Sequence, residues 1–138
     1  MKPTCGAIML VEDDQVDAMM LRRALKELRV ANRLIYTENG EEALAYLRDP
    51  ALANPSIILL DLNMPVMGGI EFLQVAKQDA VLKRIPVVVL STSDEPEDKL
   101  ASFNLGVAGY ICKPMDYRSF VEAMRTVDAY WTLSELPG

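Results

Sequence analysis

Four short apolar runs, each ending at a residue able to do chemistry, constrain this chain more than any other feature. Residues 7–11 (AIMLV) run into Glu12-Asp13-Asp14, and 56–60 (SIILL) into Asp61. Residues 86–90 (PVVVL) run into Ser91-Thr92, and 108–112 (AGYIC) into Lys113-Pro114. Consecutive apolar positions over so short a span predict strands buried on both faces for the first three runs, and the fourth reads as the last strand. A fifth run, 33–37 (RLIYT), is more mixed and predicts a strand at a sheet edge.

Helical patterns fill the gaps. Val16, Met20, Ala24 and Leu28 recur at four-residue spacing with Arg22, Arg23, Lys26 and Glu27 between them, predicting an amphipathic helix. Asn39-Gly40 is turn punctuation before a second helix with Ala43, Leu44 and Leu47 on one face. A loop follows at 49–55, and Ile70, Leu73 and Ala76 open a third helix after the loop MPVMGG. Ser93-Asp94-Glu95-Pro96 reads as the start of a fourth, stopped by Gly106. The fifth spans 117–131, with Phe120, Met124, Val127 and Trp131 at helical spacing. Strands alternating with helices imply an α/β fold: one doubly wound parallel sheet, (βα)5, with helices on both faces. In such folds the ligand site lies beyond the carboxyl ends of the strands.

Length and charge narrow the function. The 138 residues fit one compact domain, with a core at about 7–131 and a short tail at 132–138. A net charge of −6 argues against a nucleic-acid surface, which needs a basic patch. The chain has no histidine, which removes Ser-His-Asp and Cys-His catalysis and the common zinc sites. Cys5 and Cys112 have no CxxC spacing; Cys112, inside an apolar segment, reads as a buried small side chain, and a reducing compartment is the default. No apolar run approaches the ~20 residues of a membrane span, so a soluble, cytoplasmic protein is expected.

The polar strand ends carry the chemistry. Carboxylates within ~5 Å of each other repel by roughly 3 kcal/mol per pair at an effective dielectric near 20. They stay ionised together only beside a cation, and an all-oxygen donor set selects a hard ion such as Mg²⁺. A carboxylate beside such an ion can act as nucleophile toward a phosphoryl group. A lysine and a hydroxyl supply charge and hydrogen-bond donors for the phosphoryl oxygens.

The segments LVEDD (10–14), LLDLNMPVMGG (59–69), VVVLSTS (87–93) and GYICKP (109–114) together resemble the receiver-domain family of two-component response regulators, typified by the chemotaxis response regulator. The resemblance implies a flavodoxin-like sheet of strand order 2-1-3-4-5. It implies Asp61 as phosphoacceptor and Mg²⁺ held by Glu12, Asp13, Asp61 and the backbone carbonyl of Asn63. It also implies Ser91 as switch hydroxyl, Lys113 as phosphoryl-binding lysine, Pro114 as a cis-proline and Tyr110 as switch aromatic. Asp14 falls one place past the acidic pair and reads as a loop residue, and Tyr110 also fits a half-buried strand aromatic. Gly68 replaces an acid that many relatives carry. Met64 and Met67 read as packing.

The implied function is that of a phosphoacceptor switch rather than an enzyme. Its phosphoryl donor is a sensor histidine kinase, and its output is a phosphorylation-dependent contact with a protein target. Asn63 and Ser93 stand at positions that tune the lifetime of the phosphorylated state. The segment ELRVANRL and the tail, with Trp131 and SELP, resemble single-domain regulators paired with phytochrome-type kinases. That implies a homodimer through the face formed by the fourth helix, fifth strand and fifth helix; Trp131 fits either an interface or core packing. The other readings are an aspartate-nucleophile phosphatase, whose motif needs a second aspartate where Asn63 stands, and a flavodoxin-like scaffold without phosphotransfer.

Overall fold

A computed structural model describes residues 6–92, 94–114 and 116–133, the last four by backbone only. Five strands, β1 (Ile8–Val11), β2 (Leu34–Thr37), β3 (Ile57–Leu60), β4 (Val87–Ser91) and β5 (Gly109–Cys112), alternate with α1 (Gln15–Glu27), α2 (Gly40–Arg48), α3 (Gly69–Ala76), α4 (Pro96–Asn104) and α5 (Tyr117–Leu133). All neighbouring strands pair in parallel, in the order β2-β1-β3-β4-β5. The fold is the expected one, with an added 3-10 turn at Leu82–Arg84.

The continuous apolar runs are explained by burial on both sides. Met9, Val11, Ile58, Leu60, Val87 and Val89 face one layer, with Ala43, Leu44 and Leu47 of α2 and Phe72, Leu73 and Ala76 of α3. Ile8, Leu10, Ile57, Leu59, Val88 and Leu90 face the other, with Leu21 and Leu25 of α1 and Phe120, Val121 and Met124 of α5. Each fully buried aliphatic side chain contributes about 1.5–3 kcal/mol, so the central strands β1 and β3 anchor the domain.

Three local expectations need correction. The buried stripe of α1 is Ala18, Leu21, Ala24 and Leu25, whereas Val16 is 67 % exposed. Spacing of three and four follows the helix turn, and a strict spacing of four drifts off the face. Asp14 is no bystander: it caps α1, its carboxylate accepting from the N–H groups of Val16 at 2.8 Å and Asp17 at 3.2 Å. Cys112 is exposed, because it ends an edge strand whose outer side no further strand covers. Cys5 and Trp131 lie outside the residues whose side chains are described.

Helix α4 is attached differently from its neighbours. Pro96 opens it after Glu95, which makes no side-chain cap, and its buried side chain is that of Ser102. Leu100 and Phe103 are 63 % and 53 % exposed. Gly106, at φ +81°, ends it in the left-handed conformation that glycine adopts without steric cost.

Helix α3 starts against the exit of β3. A Cβ on Gly69 would lie 2.6 Å from the Asp61 carbonyl oxygen and 2.7 Å from the Leu62 Cα, both backbone atoms that cannot swing aside. Gly69→Ala should therefore cost about 2 kcal/mol or more, by forcing this seam apart. Urea denaturation checks it; an unchanged midpoint would mean that the seam yields freely.

Candidate functional site

Parallel register brings the polar strand ends to one rim. Val11 is opposite Leu60, so Glu12 and Asp61 leave adjacent strands side by side, and the Asp61 N–H bonds the Val11 carbonyl at 3.0 Å. Ser91 is opposite Cys112, and the Lys113 N–H bonds the Ser91 carbonyl at 2.8 Å. Glu12, Asp61 and Ser91 are buried, whereas Asp13 and Asn63 are exposed.

Carboxylate oxygens of Glu12, Asp13 and Asp61 all lie within 4.8 Å of one another. The Lys113 ammonium enters from β5 and bonds Glu12 Oε1; it also bonds Asp17 Oδ2 at 2.8 Å and stands 3.9 Å from Asp61 Oδ1. The Asn63 N–H reaches Asp61 Oδ1 at 3.4 Å. Tyr110 is half-buried and packs against the core layer that includes α2 and α3. Met64 and Met67 pack on that layer too. Ser93 lies outside the described residues.

Two residues differ from expectation. The Lys113–Pro114 peptide is trans; among the described residues no peptide bond is cis. Trans is the ordinary preference of a prolyl bond by about 0.5–1 kcal/mol, and Lys113 meets Ser91, Glu12 and Asp17 in that form. Asp17 was not legible as a site residue. Its one local signal is an acidic side chain in the first turn of α1, which helix electrostatics explains without any site.

Electrostatics shows what the cluster lacks. Burial lifts the Glu12 carboxyl to about 7, against the opposing pull of Lys113 and with Asp61 adding to the rise. Burial raises Asp61 also, while Glu12, Lys113 and the Asn63 N–H hold it down. Lys113 is raised despite its own burial, because the Asp17 and Glu12 carboxylates favour its charge. A single ammonium is thus shared among more carboxylates than it can neutralise. An all-oxygen cluster short of positive charge fits a hard divalent cation.

Comparison with known proteins agrees. The family model for the response regulator receiver domain matches residues 8–125. Response regulator Rcp1 of Synechocystis is 36 % identical over 128 residues, covering 90 % of this chain and 87 % of that protein. The crystal structure of Mn²⁺-bound Rcp1 superposes with a TM-score of 0.90 at 34 % identity, over 97 % of this chain and all of that one. The phosphorylated cyanobacterial phytochrome response regulator RcpA superposes with a TM-score of 0.89 at 36 % identity, over the whole of both chains.

The raised carboxyls make the metal-free fold pH-sensitive. Their folded pKa values lie above the unfolded ones, so the stability they contribute falls as pH rises; for Glu12 it is complete below about pH 4.5 and is lost as pH rises through about 7. A divalent cation binds the deprotonated forms and offsets that loss. The melting-temperature gain from added MgCl₂ or MnCl₂ should be larger at pH 8 than at pH 5, and Glu12→Gln should flatten the difference. Equal gains at both pH values would contradict this account.

Proposed function

Because the chain belongs to the response regulator receiver domain family, we propose that it is a phosphoacceptor switch in which Asp61 takes the phosphoryl group from the phosphohistidine of a sensor kinase. The observation that carries this reading is the meeting of Glu12, Asp13, Asp61 and Lys113 from three strand ends. A scaffold without phosphotransfer would not need that convergence of buried charge. A nucleophilic-aspartate phosphatase needs a second aspartate where Asn63 stands.

The carboxylates of Glu12, Asp13 and Asp61, with the Asn63 carbonyl, would hold Mg²⁺. When bound, the ion supplies the positive charge that admits an anionic phosphoryl group to a carboxylate site. The chain's own groups do the rest. An Asp61 carboxylate oxygen bonds to phosphorus as the P–N bond breaks and its electron pair returns to the donor imidazole. Lys113 donates to a phosphoryl oxygen, and the Ser91 hydroxyl, at the end of the strand beside β3, donates to another. Tyr110 then packs inward, and the face of α4, β5 and α5 changes shape. The acyl phosphate hydrolyses slowly, at a rate that Asn63 and Ser93 tune, so the protein is a switch and not a turnover enzyme.

Likeness to RcpA over the whole chain supports a phytochrome-type kinase as donor. Exposed Leu100 and Phe103 on α4, beside the half-exposed strand β5, support the α4-β5-α5 face as the surface for a homodimer and for a protein target. A cytoplasmic location suits such a kinase and a Cys112 outside any disulfide; no helix among the described residues is long and apolar enough to cross a membrane.

Intact-mass analysis after incubation with acetyl phosphate tests the reading. One added phosphoryl group is expected with Mg²⁺, little without it, and none in Asp61→Asn; undiminished labelling of that variant would place the acceptor elsewhere. Lys113→Ala should stay folded in Mg²⁺ yet fail to transmit the signal. In amide NMR spectra, beryllofluoride should shift resonances through α4 and β5 in the wild type but only near Asp61 in the variant. Identical shifts in both would remove Lys113 from the switch.

A further inference from the structure

Lys113 spans 96 residues of sequence to reach Asp17, a residue outside the carboxylate cluster. Asp17 stands in the first turn of α1, its backbone fixed by the Asp14 cap, and its side chain is 33 % exposed. An ammonium has three N–H donors. Glu12 Oε1 and Asp17 Oδ2 take two of them, while Asp61 Oδ1, at 3.9 Å, lies beyond hydrogen-bond reach. The lysine is thus drawn toward α1, close to the acceptor carboxylate but not joined to it.

We propose that Asp17 is a positioning residue for phosphoryl acceptance: with Glu12 it anchors the Lys113 ammonium off Asp61, keeping the Asp61 oxygens clear of the ammonium and the third N–H for the incoming phosphoryl group. The inference rests on the reading of Asp61 as phosphoacceptor and adds to it. A lysine without Asp17 keeps Glu12 and has Asp61, 3.9 Å away, as the next anion within reach, and it relaxes onto that carboxylate. The direct ion pair ties up the oxygen that must attack and takes the donor meant for the phosphoryl oxygens. Asp17 also bears on the first turn of α1, where a carboxylate favours the helix end, and that plainer role must be separated from this one.

The test measures the initial rate of labelling by acetyl phosphate with Mg²⁺ in the full chain, by intact mass. Asp17→Ala should label about tenfold more slowly, as expected for a reacting group misplaced by a fraction of an ångström to an ångström. Asp17→Glu, which restores the carboxylate, should recover most of the rate. Asp17→Asn keeps the shape and the helix start, and serves if the alanine variant folds poorly; it too should be slow. The second readout is the ¹⁹F NMR spectrum of the beryllofluoride adduct, in which the fluorine facing Lys113 should shift in Asp17→Ala and return in Asp17→Glu. A wild-type rate and spectrum in both Asp17→Ala and Asp17→Asn would overturn the proposal. So would a slow Asp17→Ala with an unmoved fluorine, since that pattern belongs to the helix end. Absence of labelling in the wild type, or its persistence in Asp61→Asn, would instead overturn the reading beneath it.

Discussion

Glu12 and Asp61 are two carboxylates taken out of water side by side, and most of what is distinctive in this molecule is a response to that crowding. At about 4 Å two such charges cost on the order of 4 kcal/mol at an effective dielectric of 20, before either has lost its hydration. One ammonium cannot settle the account, so Lys113 is divided between Glu12 and Asp17 with Asp61 just out of contact. The site is poised rather than satisfied. A proton or a divalent cation there would redistribute the same charge, and that one lysine is the cation nearest to respond.

The fold creates the crowding and sustains it. With both faces of the sheet covered by helices, polar side chains have an outlet only at the strand ends, and the register of β1 on β3 sets Glu12 beside Asp61. The close seam of Gly69 against the Asp61 carbonyl fixes the backbone of Asp61 from the other side. Carboxylates on a loose loop would drift apart and resolvate. Held by the ladder, they cannot.

Elements whose physics is local were readable in the chain. Three apolar runs named the buried strands β1, β3 and β4, the run 108–112 named the last strand and the mixed run 33–37 an edge strand, and the polar residues just beyond them named the rim that assembles Glu12, Asp61 and Lys113. Errors arose where a distant partner decides. Val16 outranks Ala18 in size, yet Ala18 is the residue buried at the start of α1 and Val16 is exposed, whereas Ala24, Met20 and Leu28 pack on the core as their spacing implies. Cys112 sits in an apolar segment but on an edge strand, and exposure there depends on what lies beside the sheet. Asp17 answers to a lysine on another strand, which no pattern within its own helix could announce. The trans bond before Pro114 likewise departs from what family likeness implied.

The sparse anchorage of α4 has a consequence for how cohesion is spread through the domain. Where β1 and β3 are clamped between two apolar layers, α4 contributes a buried serine and leaves Leu100 and Phe103 in water. Amide hydrogens of the central strands should therefore exchange with solvent only through global opening, and those of α4 through small local excursions. A covalent event worth a few kilocalories cannot reorganise the former but is ample for the latter. Among the described helices, α4 is the one with the least buried side-chain anchorage, and so the one a small perturbation would reach first.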